Sequence, residues 1–128
     1  MRYLLDTHTL LWFISQDKKL SDKARQLILD SSSEIFLSIA SLWEIAIKIN
    51  IGKLTLDEPF EQLFPRELHF HKIRILDITV DNLVRLTTLP SHHRDPFDPL
   101  IIAQALDEEI SVIGVDTRFD GYGVNRKW

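Results

Sequence analysis

The chain has 128 residues, 15 basic and 19 acidic side chains, a formal charge of −4 and 45% apolar residues. That length and apolar share suit one globular domain, residues 1–128, and exclude wholesale disorder. The absence of cysteine excludes disulfides, thiolate metal sites and thiol nucleophiles, and fits a reducing cytoplasm.

In chain order, Tyr3-Leu4-Leu5 is a short apolar run stopped by Asp6 and predicts a buried strand. Thr7 to Ile14 reads as a helix that is apolar almost all round. Ser21 caps a second helix reaching about Ser31, with Ala24, Leu27 and Ile28 at helical spacing. Ile35-Phe36-Leu37 is a second strand. Ser38 or Ser41 opens a third helix running to about Ile51, with Gly52 as its stop. Pro59 to Phe70 suggests one or two short helices, broken or begun at Pro65. A third strand is expected over Ile73–Ile78, then a helix capped by Thr79 and reaching Leu89. Pro90 to Phe97 reads as a polar loop. Asp98-Pro99 looks like a cap with proline in the first helical position, opening a helix to about Glu109. Ile110 to Val115 is a fourth strand, and the Gly-rich tail after Thr117 has no firm assignment. Strands alternating with helices imply βαβ units and a parallel sheet covered on both faces, an α/β sandwich. No apolar stretch approaches the ~20 residues of a membrane span, and Asp6 interrupts the one N-terminal apolar run, so neither a span nor a leader is expected. The acidic balance argues against a long basic nucleic-acid surface but allows a local patch.

Four acids fall where such a fold places its chemistry, at the carboxyl ends of the strands. Asp6 ends the first strand, Glu44 lies early in the third helix, Asp98 opens the helix before the fourth strand, and Asp116 follows that strand. Only the fold can gather residues so far apart. Clustered carboxylates repel, and protonation or a cation must relieve them. An all-oxygen set suits a hard cation such as Mg²⁺ or Mn²⁺, which suggests phosphodiester hydrolysis. Each acid also has a plainer reading. Asp98 before Pro99 is a good cap, Ser41-Leu42-Trp43-Glu44 matches a capping box, and Asp116 can cap a turn. Asp6 favours function, because a carboxylate among Leu4, Leu5, Leu10 and Leu11 needs a partner.

Leu4-Leu5-Asp6-Thr7-His8-Thr9-Leu10-Leu11-Trp12 resembles the start of a PIN-domain ribonuclease. Three further blocks match in order: Ser38 to Lys48, Asp95-Pro96-Phe97-Asp98 with Leu100 to Ala105, and Val115-Asp116 with Phe119 and Tyr122. Together they span nearly the whole chain and are most similar to VapC-type toxins of bacterial toxin–antitoxin pairs. The resemblance implies a PIN-like, Rossmann-like three-layer α/β/α sandwich with a short central parallel sheet. It implies Mg²⁺-dependent endoribonuclease activity, with Mn²⁺ as a substitute. By motif, Asp6, Glu44 and Asp98 match the metal-binding catalytic acids, and Asp116 the fourth, less uniform one. It further implies an RNA substrate, a homodimer and a cognate antitoxin whose C-terminal segment lies over the active-site groove. Two departures stand out. Pro99 replaces a frequent Arg, which bears on a basic contact to RNA or antitoxin. Gly114 replaces a frequent Thr, which bears on the positioning of Asp116.

Other residues carry competing readings. His8 suits a partly buried helix histidine more than a ligand, and His92-His93-Arg94 suits either a phosphate contact or a solvated loop. His69 and His71 lack a third zinc ligand. Asp95 is read as a bond to the loop or helix start. Lys48 suits an i,i+4 ion pair with Glu44 or a phosphate contact. With Arg94 and Arg118 it can make an acidic groove locally positive. Trp12, Phe13 and Trp43 read as core. The all-round apolar first helix predicts a partner peptide or dimer covering one flank. Two rivals to the nuclease reading stand: a catalytically silent PIN-like module that binds RNA or protein, and a structure-specific DNA nuclease, whose extra DNA-binding helices need a longer chain.

Overall fold

The computed structural model describes residues 1–90 and 95–128. Its centre is a five-stranded parallel sheet in the order β3-β2-β1-β4-β5. The strands are β1 (Arg2–Leu5), β2 (Glu34–Ser38), β3 (Arg74–Leu76), β4 (Ser111–Ile113) and β5 (Arg126–Lys127). The helices are α1 (Thr7–Ser15), α2 (Asp22–Leu29), α3 (Ile39–Asn50), α4 (Phe60–Phe70), α5 (Val80–Leu86) and α6 (Phe97–Glu108), with a 3-10 helix at Thr117–Tyr122. None of the described helices is long and apolar enough to cross a membrane.

Side chains alternate across a strand, and both faces of this sheet are covered. Tyr3, Leu5, Ile35, Leu37 and Ile113 therefore point into one core, with Leu10 and Phe13 of α1, Ala24 and Ile28 of α2, and Leu63, Phe64 and Leu68 of α4. Leu4 and Val112 point the other way, against Leu100, Ile101, Ile102 and Ala105 of α6 and Phe119. The expected α/β sandwich is the observed one, and α6 is deeply buried through Phe97 and the run from Leu100 to Ala105.

The register fixes where the strands stop together. Leu5 lies beside Leu37 and Ile113, and Ser38 beside Leu76. Because the strands are parallel, the segments leaving them emerge along one edge: Asp6 from β1, α3 from β2, and Gly114 to Asp116 from β4.

Several elements differ from the sequence reading. Helix α3 is capped by Ser38, whose Oγ accepts from the Ala40 amide at 3.0 Å. Ser41 is buried inside the helix, so Ser41 and Glu44 form no capping box. Helix α6 starts at Phe97, before Pro99, and its first amides are taken up by Asp95: Phe97 N and Asp98 N both donate to its Oδ1 at 2.9 Å. Asp98 is thus inside the helix and not its cap. Pro65 neither breaks nor begins α4; Glu61 and Pro65 lie on its exposed side, while the buried Leu63, Phe64 and Leu68 hold the helix in place. Strands β3 and β4 are shorter than expected, α5 ends at Leu86 rather than Leu89, and the tail supplies the 3-10 helix and β5. Thr79 does cap α5, in a reciprocal box with Asn82.

A candidate active site at the strand ends

Asp6 is 4% exposed and sits at the junction of β1 and α1. Its amide donates to Ile113 O at 3.0 Å. Burial pushes its carboxyl up to about 6, against the charge and amide of His8, which favour the ionised form; the charge of Glu44 adds to the rise. Two buried hydroxyls fix the surroundings. Thr7 Oγ1 donates to Ser41 Oγ at 2.9 Å, tying α1 to α3, and Thr9 Oγ1 donates to Ile113 O at 2.8 Å, tying α1 to β4. The sequence signal for Thr9 and Ser41 was present but faint: polar residues within nearly all-apolar helices, which ordinarily point to satisfied hydroxyls.

Glu44 is buried on α3. Its Oε2 accepts from Lys48 Nζ at 2.6 Å, one helical turn on, so the i,i+4 reading of Lys48 holds. Its Oε1 is buried with no hydrogen-bond partner among the described residues. A buried carboxylate oxygen without a donor is costly and points to a group that would satisfy it.

Asp98 is half-buried in the first turn of α6. Its carboxyl is pushed up to about 8, first by burial and then by the charges of Asp6, Asp95, Glu44 and Asp116. Asp116 accepts the Arg118 amide at 2.9 Å, which caps the 3-10 helix. The Arg118 guanidinium also grips it, Nη2 lying 2.8 Å from Oδ2. The capping reading of Asp116 thus holds, and the same carboxylate faces the cavity.

Asp6, Glu44, Asp98 and Asp116, with Asp95, line one cavity of about 450 Å³. Lys48, Arg118, His8, Trp12, Phe97 and Val115 complete its walls. All four acids picked out in the sequence are therefore brought to one place, and Asp95 joins them. His8 is exposed rather than partly buried, with its ring 5.6 Å from that of Trp12. Trp43 is 49% exposed, not core, and meets Phe97 edge-on at 5.0 Å. His92, His93 and Arg94 lie outside the described residues.

Chemically, the cavity is a set of hard oxygen donors, with Lys48 and Arg118 as cations among the described residues. No group of three Asp, Glu or His side chains among the described residues is arranged to hold a metal ion. The donor set nevertheless fits a hard divalent cation in kind: oxygen ligands only, the partnerless Glu44 Oε1, and an Asp98 raised by burial and by the surrounding carboxyl charges.

A second cavity, of about 460 Å³, adjoins the first and shares His8, Trp12 and Lys48 with it. Leu11, Ile14, Ile45, Leu54, Leu56 and Leu63 give it an apolar lining. The uncovered flank expected for α1 lies here.

Residues 3–125 match the family model of the PIN domain. No curated protein matches the sequence significantly. Among solved structures, the chain is similar to VapBC2 from Rickettsia felis bound to a promoter DNA fragment, with 18% identity and a TM-score of 0.73 over 99% of this chain and 98% of that one. It is also similar to VapBC-1 from nontypeable Haemophilus influenzae, at 18% identity and a TM-score of 0.66 over 99% and 97%. A toxin–antitoxin complex from Klebsiella pneumoniae matches at 16% identity and a TM-score of 0.54 over 91% and 88%. These likenesses concern the fold, and the family model covers almost the full sequence: the chain belongs to the PIN domain family.

Proposed function

We propose that the protein is a metal-dependent endoribonuclease acting in the cytoplasm, the toxin of a toxin–antitoxin pair. The observation that carries this reading is the convergence of five carboxyl groups on one cavity, whose charges add to burial in raising Asp98 to about 8. Isolated caps do not generate such mutual fields, whereas a cation site does. Asp6, Glu44 and Asp98 would hold Mg²⁺ or Mn²⁺, with Asp116 assisting. When bound, that ion supplies Lewis acidity to a phosphoryl oxygen and eases deprotonation of water.

The chain's own groups do the rest. Lys48 Nζ donates to Glu44 Oε2, and the Arg118 guanidinium fixes the Asp116 carboxylate. Asp98 holds a proton at neutral pH that cation binding would displace. His8 and Trp12 at the rim offer a ring nitrogen to a phosphate and a flat face to a base. The adjoining apolar cavity suits a segment of the antitoxin, and the exposed Trp43, Val80, Leu83 and Val84 suit a homodimer contact. The three neighbouring structures support the toxin reading, one of them being a toxin–antitoxin complex by name.

A second reading is a catalytically silent module that binds RNA or protein. It is favoured by the pairing of two of the acids with Lys48 and Arg118 and by the lack of a ready-made trio of ligands.

Purified, antitoxin-free protein incubated with total cellular RNA in Mg²⁺, Mn²⁺ or EDTA, beside Asp6→Asn, separates the two. The nuclease reading expects discrete fragments that need the metal and vanish in the variant. Intact RNA in every lane, from folded protein that still binds Mn²⁺, selects the silent module.

A further inference from the structure

We propose that Lys48 is the phosphate-binding residue of the acidic cavity: its ammonium group neutralises Glu44 while the site is free of metal, and passes to a substrate phosphate when a divalent cation reaches Glu44. This rests on the reading of the cavity as a metal-dependent nuclease site. The two cations of the cavity wall are held in different ways. The Arg118 guanidinium grips Asp116 through Nε, at 3.1 Å from Oδ1 and 3.2 Å from Oδ2, and through Nη2, at 2.8 Å from Oδ2. The Arg118 amide bonds the same carboxylate, so this residue is committed to one partner. Lys48 has a single hydrogen bond among the described residues, from Nζ to Glu44 Oε2 at 2.6 Å. An ammonium group carries three donors, so it can serve a further acceptor. The Lys48 side chain is 39% exposed and that of Glu44 9%: the acid is enclosed while its cation meets solvent.

The chain fixes the root of Lys48 and holds its end by that one bond. Lys48 lies in the last turn of α3, and its carbonyl accepts from the Lys53 amide at 2.8 Å and the Leu54 amide at 3.2 Å. A flexible four-carbon stem separates that anchor from the charge. The other oxygen of Glu44, Oε1, is buried without a partner, so it is the one open to an incoming cation. A divalent cation sharing this carboxylate repels the ammonium group and takes over the charge that held it. The phosphate of a bound strand then offers the stronger charge-assisted bond. Lys48 walls both cavities, so its side chain reaches open space without any movement of α3.

The test compares wild type with Lys48→Met and Lys48→Gln. Lys53→Met is the control, because Lys53 lines the apolar cavity and not the acidic one. Calorimetry reads Mn²⁺ affinity without RNA. Fluorescence anisotropy reads binding of a labelled single-stranded phosphorothioate RNA oligomer over a salt series, in Mn²⁺ and in EDTA. Both neutral variants should bind Mn²⁺ roughly 10-fold more tightly, since the competing charge is gone. In Mn²⁺ they should bind the oligomer more weakly, with a slope of log K against log salt shallower by about 0.7, the loss of one phosphate contact on a single strand. In EDTA their slopes should match wild type, because Lys48 is then taken up by Glu44. Lys53→Met should leave Mn²⁺ affinity and slope unchanged. Lys48→Gln can still donate to Glu44 and carries the test if Lys48→Met does not fold. Equal slopes in Mn²⁺ for wild type and the neutral variants overturn the proposal, and weaker Mn²⁺ binding by those variants does so too; either makes Lys48 a fixed support of Glu44. The same effects from Lys53→Met overturn it in favour of net charge alone. A wild type that binds no Mn²⁺ overturns the metal reading and this proposal together, whereas a wild type that binds Mn²⁺ with unaltered slopes in the variants overturns this proposal alone.

Discussion

Two cavities of nearly equal volume, about 450 and 460 Å³, lie side by side and share His8, Trp12 and Lys48. One is lined by five carboxyl groups, whereas the other sets leucine and isoleucine side chains beside polar and charged ones, Lys53, Asp57, Glu58 and Glu67 among them. The start and one flank of α1 serve both: Asp6 at its head closes the acidic cavity, and Leu11 and Ile14 wall the apolar one. The difference lies in what each lacks. The apolar cavity lacks only contact partners for its walls, a loss of dispersion and burial. The acidic one lacks positive charge, which Lys48 and Arg118 supply only in part. The first suits a peptide and the second a cation.

The largest expected effect breaks the acidic side. Asp6→Asn or Glu44→Gln should lower RNA cleavage roughly 10³-fold or more, with far-UV circular dichroism unchanged. On the apolar side, Leu11→Asp should weaken antitoxin binding about 100-fold, or about 2.7 kcal/mol. Metal-dependent cleavage by the isolated Leu11→Asp protein should stay at the wild-type level; a parallel loss of both activities would mean the cavities are not separable.

The shared wall gives a smaller effect. Lys48→Met removes the cation from the buried Glu44 Oε2 and should cost about 1–3 kcal/mol in urea unfolding at pH 7 in EDTA. Saturating Mn²⁺ should recover part of that loss, because a second positive charge then reaches Glu44.

The smallest effect sharpens the charge argument. The folded Asp98 value, about 8, lies above the ordinary carboxyl value of 3.8, so the folded chain keeps a proton that the unfolded chain releases. Stability of the metal-free protein should therefore fall as pH rises between those two values. Asp6, at about 6, adds to the fall over a narrower window. Asp98→Asn should flatten the profile and raise Tm at pH 8. Near pH 4 the variant and wild type should melt together. A wild-type profile that climbs from pH 4 to pH 8 would contradict the crowding of carboxyl groups.

Much of this was legible in the sequence, for definite reasons. Strands buried on both faces read as unbroken apolar runs, so β1, β2 and β4 were visible. The acids were visible because each interrupts or follows such a run. The β5 strand was not, because its two residues are extended only through their pairing with β4. The true caps of α3 and α6 were obscured by several candidates within a few residues, Ser38 against Ser41 and Asp95 against Asp98. The outward side of Trp43 and His8 depends on which helix face the sheet covers. The close approach of Gly114 to Asp6 needs the register between β1 and β4, which spacing along one chain does not encode.

That same register sets an order of assembly. The Asp6 amide and the Thr9 hydroxyl both close on Ile113 O, the latter across 104 positions of sequence. Asp98 and Asp116 are also late in the chain. Loop closures of that length come late in folding. A ribosome-bound chain that has not yet released residue 113 carries Asp6 and Glu44 without the strand that anchors them or the acids that face them. The cavity is thus incomplete until the chain has emerged past residue 116, and products truncated before it lack a complete site.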